Sequence, residues 1–308
     1  MITVKFKGQD ITNAISINQC IHDMYCEKRS DTLTIRFNDT QNEWDSWQPK
    51  VGDEISVEYG SIHTGKMFVD SINPENGLYT IIATSIPPSA NENKSKSWQK
   101  VNLQQIGQEI ATNHRLSFRS YGLEDIVYEY ILQTNETDFS FFQRLCTLEG
   151  CAFLVYDGIF VLYSQIYMEN TEPAKTISIM ADSDYTYMDN SARLYGSCLI
   201  KKGIYTGIYN ANNGSARQYI PDMHVQITIS NQSEANRYAK NLLRSVNKNM
   251  VTGYVYGRVM PEFAAASMMQ IENDRAASWN GPVFITHIRN DYAFGKSKVF
   301  FRKKLQEY

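Results

Sequence analysis

The residues best placed for chemistry are the carboxylates Glu136 and Asp138, two apart at the head of a helical stretch. A glycoside hydrolase needs two carboxyl groups facing each other across a cleft about 5–9.5 Å wide. Two residues in one helical turn point to different sides and cannot span it. The histidines, His22, His63, His114, His224 and His287, include no HExxH pair, and no two share a helix face. They read as packed or surface residues. Cys26 and His22 stand four apart, so strand parity alone puts them on one side; this is thin support for a nucleophile and base. No GxSxG elbow, P-loop or GxGxxG occurs, and Gly203-x-x-x-Gly207 is two glycines in a β region without phosphate logic. Catalytic, cofactor-binding and metal-binding residues are therefore not expected.

Other polar and aromatic residues admit mild functional readings. Cys20, Cys26, Cys146, Cys151 and Cys198 are odd in number and no secretion signal accompanies them, so free buried thiols are expected, with Cys146 packed inside a helix. Trp44, Trp47 and Trp279 could act as sugar-stacking platforms in a carbohydrate-binding module. Lys201-Lys202 and Lys303-Lys304 read as solvated strand ends, or as contacts to acidic partner surfaces. Arg144 can pair with Glu149 or with a partner.

The element that positions the carboxylates runs from Asn135 to Tyr163. Asn135 is the expected helix cap, since its side-chain oxygen can accept a free first-turn N–H. Glu136 and Asp138 then fall in the first turn, where the helix dipole favours negative charge. Phe141, Phe142, Leu145 and Leu148 recur at helical spacing and form one apolar face. Gly150 is the expected left-handed stop. Ala152–Tyr156 and Ile159–Tyr163 are apolar runs separated by Asp157-Gly158, a pair suited to a two-residue type I′ turn. Upstream, Asn102 and Gln105 form a capping-box pair, and Leu103, Ile106, Ile110 and Ala111 give the helix that follows its stripe.

Around this unit the chain reads as β. Strands are expected at Ile2–Phe6, Thr32–Phe37, Ile55–Tyr59, Gly65–Val69 and Leu78–Ala83, with Asn76-Gly77 as a turn. Ile86-Pro87-Pro88 stops the last of them, and the polar SANENKSKS after it reads as a linker or loop. After residue 165, strands are expected at Thr176–Ala181, Thr186–Met188, Ala192–Leu199, Val225–Ile229, Val251–Val259, Val283–Ile288 and Lys298–Arg302, with Trp279–Pro282 as a turn and Asn210–Gly214 as a loop. One helix, 231–247, interrupts them, started by Asn231 and Glu234. The chain of 308 residues, 43% hydrophobic and 20% charged, is ordinary for a globular protein. A net charge of −3 predicts no nucleic-acid binding. The N-terminus lacks a signal-peptide core, and no apolar run approaches the roughly 20 residues of a membrane span, so synthesis in a cytoplasm without membrane insertion is expected.

Two blocks carry a family resemblance: Trp98-x-x-Val101-x-Leu103-x-x-Ile106-x-x-Glu109-Ile110-Ala111, and Glu136, Asp138, Phe142, Arg144 and Leu145 followed by Glu149-Gly150 and the Asp157-Gly158 hairpin. In order and spacing they resemble the phage late-control protein D family, the baseplate hubs of contractile tails and related injection machines. The resemblance covers roughly residues 95–165. It departs at one point: the family has His-Gly-Leu after the upstream helix, and this chain has His114-Arg115-Leu116. The resemblance implies an α+β, mainly β chain with two tube-type antiparallel β-barrels (1–90 and 166–308) flanking a small α/β domain (91–165). It further implies a structural hub, a homotrimer that adapts a hexameric tail tube to a trimeric spike and meets other baseplate subunits in a virion or phage-tail-like particle. A cell-wall hydrolase in the same tail, or a carbohydrate-binding module, is the alternative. The sequence shows no repeat between its two halves, so the duplication rests on the resemblance.

Overall fold

The computed structural model describes residues 2–180, 183–223, 227–306 and 308. Expectations that fall on Ala181, His224 and Val225 lie outside these residues. The fold is mainly antiparallel β, with helices between two sets of strands.

The first set comprises β1 (Ile2–Phe6), β2 (Gln9–Asp10), β3 (Ser16–Tyr25), β4 (Thr32–Asn38), β5 (Glu54–Tyr59), β6 (Ile62–His63), β7 (Met67–Glu75) and β8 (Leu78–Thr84). Alternation decides their faces: Val4 and Phe6, Leu33, Ile35 and Phe37, and Ile55 and Val57 all point into one core. Trp44 and Trp47, candidate sugar-stacking platforms by sequence, lie on a short helix, α1 (Glu43–Trp47). Trp44 is 2% exposed and packs on Phe37 and Tyr79, with ring centroids at 4.3 and 5.5 Å. It is a core residue and offers no face to a sugar.

The middle of the chain forms β9 (Asn93–Asn102), α2 (Leu103–Asn113), β10 (Ser117–Tyr121), β11 (Val127–Thr137), α3 (Asp138–Glu149), β12 (Cys151–Tyr156), β13 (Ile159–Ser164) and α4 (Gln165–Glu169). The stretch expected as a linker begins with a 3-10 turn and continues as β9, paired antiparallel with β11. One face of β9 meets solvent and Trp98 is its one fully buried side chain, so no alternation signalled it. Strand β10 runs parallel to β13, which pairs antiparallel with β12. Asn102 and Gln105 form the expected capping box at α2. At its other end Leu116 N–H donates to Ala111 O (2.8 Å) and Arg115 N–H to Thr112 O (3.1 Å), a Schellman stop. Arg115 holds the left-handed position at φ +58°, the place that glycine takes in the His-Gly-Leu of the family resemblance.

The last set comprises β14 (Thr176–Ile179), β15 (Asp184–Asp189), β16 (Ser197–Lys202), β17 (Tyr205–Asn210), β18 (Gln218–Tyr219), α5 (Gln232–Asn247), β19 (Val251–Arg258), β20 (Met268–Asn273), β21 (Gly281–Asp291) and β22 (Lys296–Lys303). The strand expected at Ala192–Leu199 is a 3-10 turn at Ser191–Arg193 followed by β16. The part of Val225–Ile229 that is described, from 227, is not a strand. Asn231 caps α5 as expected, accepting from Glu234 N–H at 2.9 Å. Helix α5 and the sheet of β16, β17 and β18 close a core with Leu148 of α3, through Cys198, Ile200, Tyr238, Ala239 and Leu243.

The two sets share one topology. In the first, neighbouring strands run β3-β4-β8-β7-β5-β1; in the second, β15-β19-β22-β21-β20-β14. Each member has its counterpart at the same place in chain order. Both terminal hairpins carry a bulge at the same point, at Val69/Ser71 in β7 and at Ile285/His287 in β21. One pair differs in polarity: β1 is antiparallel to β5, whereas β14 is parallel to β20. The sets are fused into a single sheet by an antiparallel ladder between β21 and β3, with His287 opposite Tyr25 and Asp291 opposite Ile21.

A left-handed conformation costs a residue with a Cβ roughly 1–2 kcal/mol, part of which glycine returns as unfolded-state entropy. Arg115→Gly is therefore expected to stabilise the protein by about 1 kcal/mol, read as a higher urea midpoint at unchanged slope. An equal or lower midpoint would contradict the stop described for α2.

Candidate functional site

Helix α3 and its hairpin form the centre expected from the sequence, with two corrections. The cap of α3 is Thr137, whose Oγ1 accepts from Ser140 N–H at 3.2 Å. Asn135 lies earlier, at φ +48° in a bulge of β11, its N–H donating to Ser95 Oγ at 3.0 Å. Pairing with β9 reaches Glu136 opposite Lys94 and Thr137 opposite Asn93, so the helix cannot begin sooner. Glu136 is accordingly a strand residue, and it takes Arg144 Nη2 at 2.5 Å. Asp138 does sit in the first turn, but buried.

The Asp138 carboxylate gathers three donors. Oδ2 accepts from Lys94 Nζ at 2.8 Å and lies 2.9 Å from His114 Nε2; Oδ1 accepts from Gln133 Nε2 at 3.0 Å. Burial opposes the charge, but the hydrogen bonds from His114, Lys94 and Gln133 outweigh it and hold the carboxyl well below the usual range. On the other side His114 Nδ1 lies 3.0 Å from Ser89 Oγ. Ser89, His114 and Asp138 thus follow one another as a hydrolytic triad does. Their separation along the chain hid this from sequence inspection. Lys94, on the same oxygen as His114, neutralises the charge that would support an imidazolium. The cluster ties the 3-10 turn at Pro88–Asn91, β9, β11, and the facing ends of α2 and α3 to one another.

The remaining expected residues take packing or turn roles. Trp98, Ile106, Ile110, Phe142 and Leu145 are buried in one core, where Trp98 stacks on Phe141 at 4.9 Å. Cys146 is buried there too. Gly150 stops α3 at φ +66°, and a Cβ on it would stand 2.7 Å from Asn241 Oδ1 of α5. Asp157 and Gly158 both have positive φ, 48° and 71°, as a type I′ turn requires. The Asp157 carboxylate also accepts from Lys66 N–H at 3.0 Å, which docks the hairpin tip onto the first strand set. Glu149 does not take Arg144. It binds Arg237 of α5 through two bonds, 2.8 and 3.1 Å, and accepts from Tyr128 Oη at 2.8 Å, beside a cleft of about 420 Å³.

Where the strand sets, the middle unit and α5 meet, the interior is charged. Glu169 of α4 accepts from Arg244 of α5 at 2.5 Å and from Arg302 of β22, all three buried. Lys248 pairs with Glu27 and donates to Gln165 Oε1 at 3.1 Å. Gln165 in turn donates to Cys151 O at 3.1 Å, and Tyr163 Oη donates to Cys26 O. Burial pushes the Lys248 ammonium down, and Glu27 opposes that. Each buried ion costs several kcal/mol unless paired and hydrogen-bonded, so these partners cannot separate cheaply. Burial also pushes the Cys26 thiol up to about 12, which disfavours the thiolate that a nucleophile needs. No group of His, Cys, Asp or Glu that could hold a metal ion exists among the described residues.

The β21–β3 ladder carries its own polar seal. Asp23 accepts from His287 Nε2 at 2.7 Å and lies 3.5 Å from Arg289 Nη1. His22, 0% exposed, lies with Nδ1 3.0 Å from Tyr292 Oη, while its Nε2 has no hydrogen-bond partner among the described residues. Tyr292 packs in the core of the first set and Met24 against that of the second.

These features define a β-rich protein whose polar clusters bind its parts together. Residues 89–293 match the phage tail baseplate hub (GPD) family, and the chain belongs to it. No curated protein matches. Among solved structures the chain is similar to the 43 kDa tail protein of prophage MuSo2 from Shewanella oneidensis, with TM-score 0.75, 12% identity and 98% of each chain covered. It is also similar to a tail protein from Neisseria meningitidis MC58, with TM-score 0.77, 9% identity, and 98% of this chain and 96% of that one covered. A type VI secretion system component of E. coli aligns at TM-score 0.60 and 10% identity, over 99% of this chain and 78% of that one.

Burial holds the His22 imidazole down at about 4, Asp23 only partly opposing it. An unfolded histidine titrates near 6.5, so between the two values the unfolded chain binds the extra proton. The stabilisation is whole above 6.5 and is lost as pH falls toward 4. Urea unfolding is expected to show the stability gap between wild type and His22→Gln narrowing by about 3 kcal/mol from pH 7 to pH 4. A gap independent of pH would contradict the burial of a neutral His22.

Proposed function

We propose that this chain is the structural hub of a contractile-tail baseplate, a homotrimer that joins a hexameric tail tube to a trimeric central spike. The observation that carries the reading is the repeated strand order. A chain with two like strand sets presents six to a tube when three copies assemble, and threefold symmetry is kept for a spike. On this reading residues 1–90 and 166–308 are tube-type barrels. Residues 91–165, an α/β domain between them, face other baseplate subunits. The solved relatives are described as tail proteins and a secretion-system component, and one, from Francisella, as a PdpA–VgrG complex; these descriptions support a place in such a machine. The protein works by binding, in a virion or tail-like particle, after synthesis in the bacterial host cytoplasm. Among the described residues, no helix is long and apolar enough to cross a membrane.

A hydrolytic second reading has one observation behind it, the Ser89–His114–Asp138 chain. The sharing of Asp138 with Lys94 speaks against it, and the burial of Trp44 weakens the carbohydrate-binding reading.

Quantitative peptide mass spectrometry of purified particles, scaled to the tube subunit, is expected to give three copies of this chain per particle end. Six copies would contradict the adaptor, and absence from particles would remove the structural reading altogether.

A further inference from the structure

Resting on the trimeric reading above, we infer that neighbouring protomers join by a β-ladder: Ser71–Glu75 of β7 on one copy pairs antiparallel with β15 on the next. The template is inside the chain. In the second strand set β21 pairs with β20 only up to Ile271 opposite Gly281 and Met268 opposite Phe284. Beyond its bulge the same edge is taken by β3, from His287 opposite Tyr25 to Asp291 opposite Ile21. The counterpart of β21 is β7. It pairs with β5 only at Met67 and Phe68, and beyond its bulge the residues from Ser71 to Glu75 have no strand on that edge among the described residues. The counterpart of β3 is β15, which pairs with β19 and, among the described residues, carries no strand on its other edge.

Exposure marks the same difference. At the ladder within the chain His22, Asp23 and Asn290 are buried. At the counterpart places Met188, Asp189, Ser71, Asn73, Pro74 and Glu75 are exposed and Tyr187, at the place of His22, is half-buried; Met188 is 54% exposed. An open edge is a template for pairing with another chain. The two edges differ, so the contact is head-to-tail and must close into a ring or run on as a filament. With two like sets per chain, three copies supply six.

The register follows from the ladders already present. Aligning the two bulges makes Ser71 the counterpart of His287 and Asn73 that of Arg289. Carrying positions across β8 and β22 to β4 and β19, Leu33 corresponds to Gly253 and His22 to Tyr187, so Asp23 corresponds to Met188. Arg289 stands opposite Asp23 within the chain; Asn73 therefore stands opposite Met188 of the next protomer, and Ile72 opposite Asp189. The charged seal of Asp23, His287 and Arg289 has no counterpart at Met188, Ser71 and Asn73. Pro74 donates no N–H. The joint between copies is thus built weaker than the joint within one.

The test is a cysteine pair, Asn73→Cys with Met188→Cys. Opposed residues of an antiparallel ladder lie about 4.5–5.5 Å apart at Cα, within disulfide reach, and all five native cysteines are buried. The full-length variant is oxidised and run without reductant, beside each single variant and an off-register pair, Asn73→Cys with Asp184→Cys, displaced by about 13 Å. Mass photometry of the wild type runs in parallel. A closed covalent trimer from the first pair alone is the expected result. Covalent chains longer than three would keep the ladder and contradict the trimer. A wild-type trimer whose first pair stays unlinked, or links no better than the off-register pair, would overturn the ladder and leave the trimer standing. A wild type that is monomeric at every concentration would overturn both.

Discussion

The ladder between β21 and β3 is the contact on which the rest of this molecule depends. Without it the chain would be two strand sets held through a middle unit. With it they become one sheet, and Tyr292 and Met24 cross between the two cores. Backbone pairing gives the joint its direction, and side chains give it its seal. His22 is buried without charge, and Asp23 draws in His287 and Arg289. Pairing fixes register, because a slip of one residue would turn every side chain to the wrong face.

The second fixed point is the charged interior around Glu169 and Lys248. Paired ions are a poor source of net stability, but they punish separation, since a lone buried charge costs several kcal/mol. Arg244 and Arg302 come from different parts of the chain and meet on one carboxylate. Helix α4, α5 and β22 are thereby held in one arrangement, and Gln165 extends the network to the hairpin. Rigidity of this kind suits the proposed role as a joint between other parts of a baseplate.

Local signals in the sequence carried the middle unit well. The stripe of α2, the capping box at Asn102, the stop at Gly150 and the Asp157-Gly158 turn are all written within a few residues. Failures came where tertiary pairing decides. Asn135 and Thr137 both have capping side chains, and the reach of β9 along β11 gave the role to Thr137. β9 itself was hidden because its solvent face leaves no apolar alternation. The repeated strand order could not be read at all, since strand neighbours depend on pairing rather than on matching residues. Leu33 answers to Gly253 and Asp23 to Met188, positions alike in place and unlike in chemistry. Ser89, His114 and Asp138, like Glu169, Arg244 and Arg302, are brought together only by the fold.

One chain carries the same strand order twice, and on the proposed function three copies would present six like units. Electron cryo-microscopy of the assembled baseplate, reconstructed with threefold symmetry, tests it most directly. The expected result is a ring of six similar sheets around the axis, alternately first and second set, with α5 and the middle unit outside it. A ring holding six copies of this chain, or one in which only one set faces the axis, would contradict it.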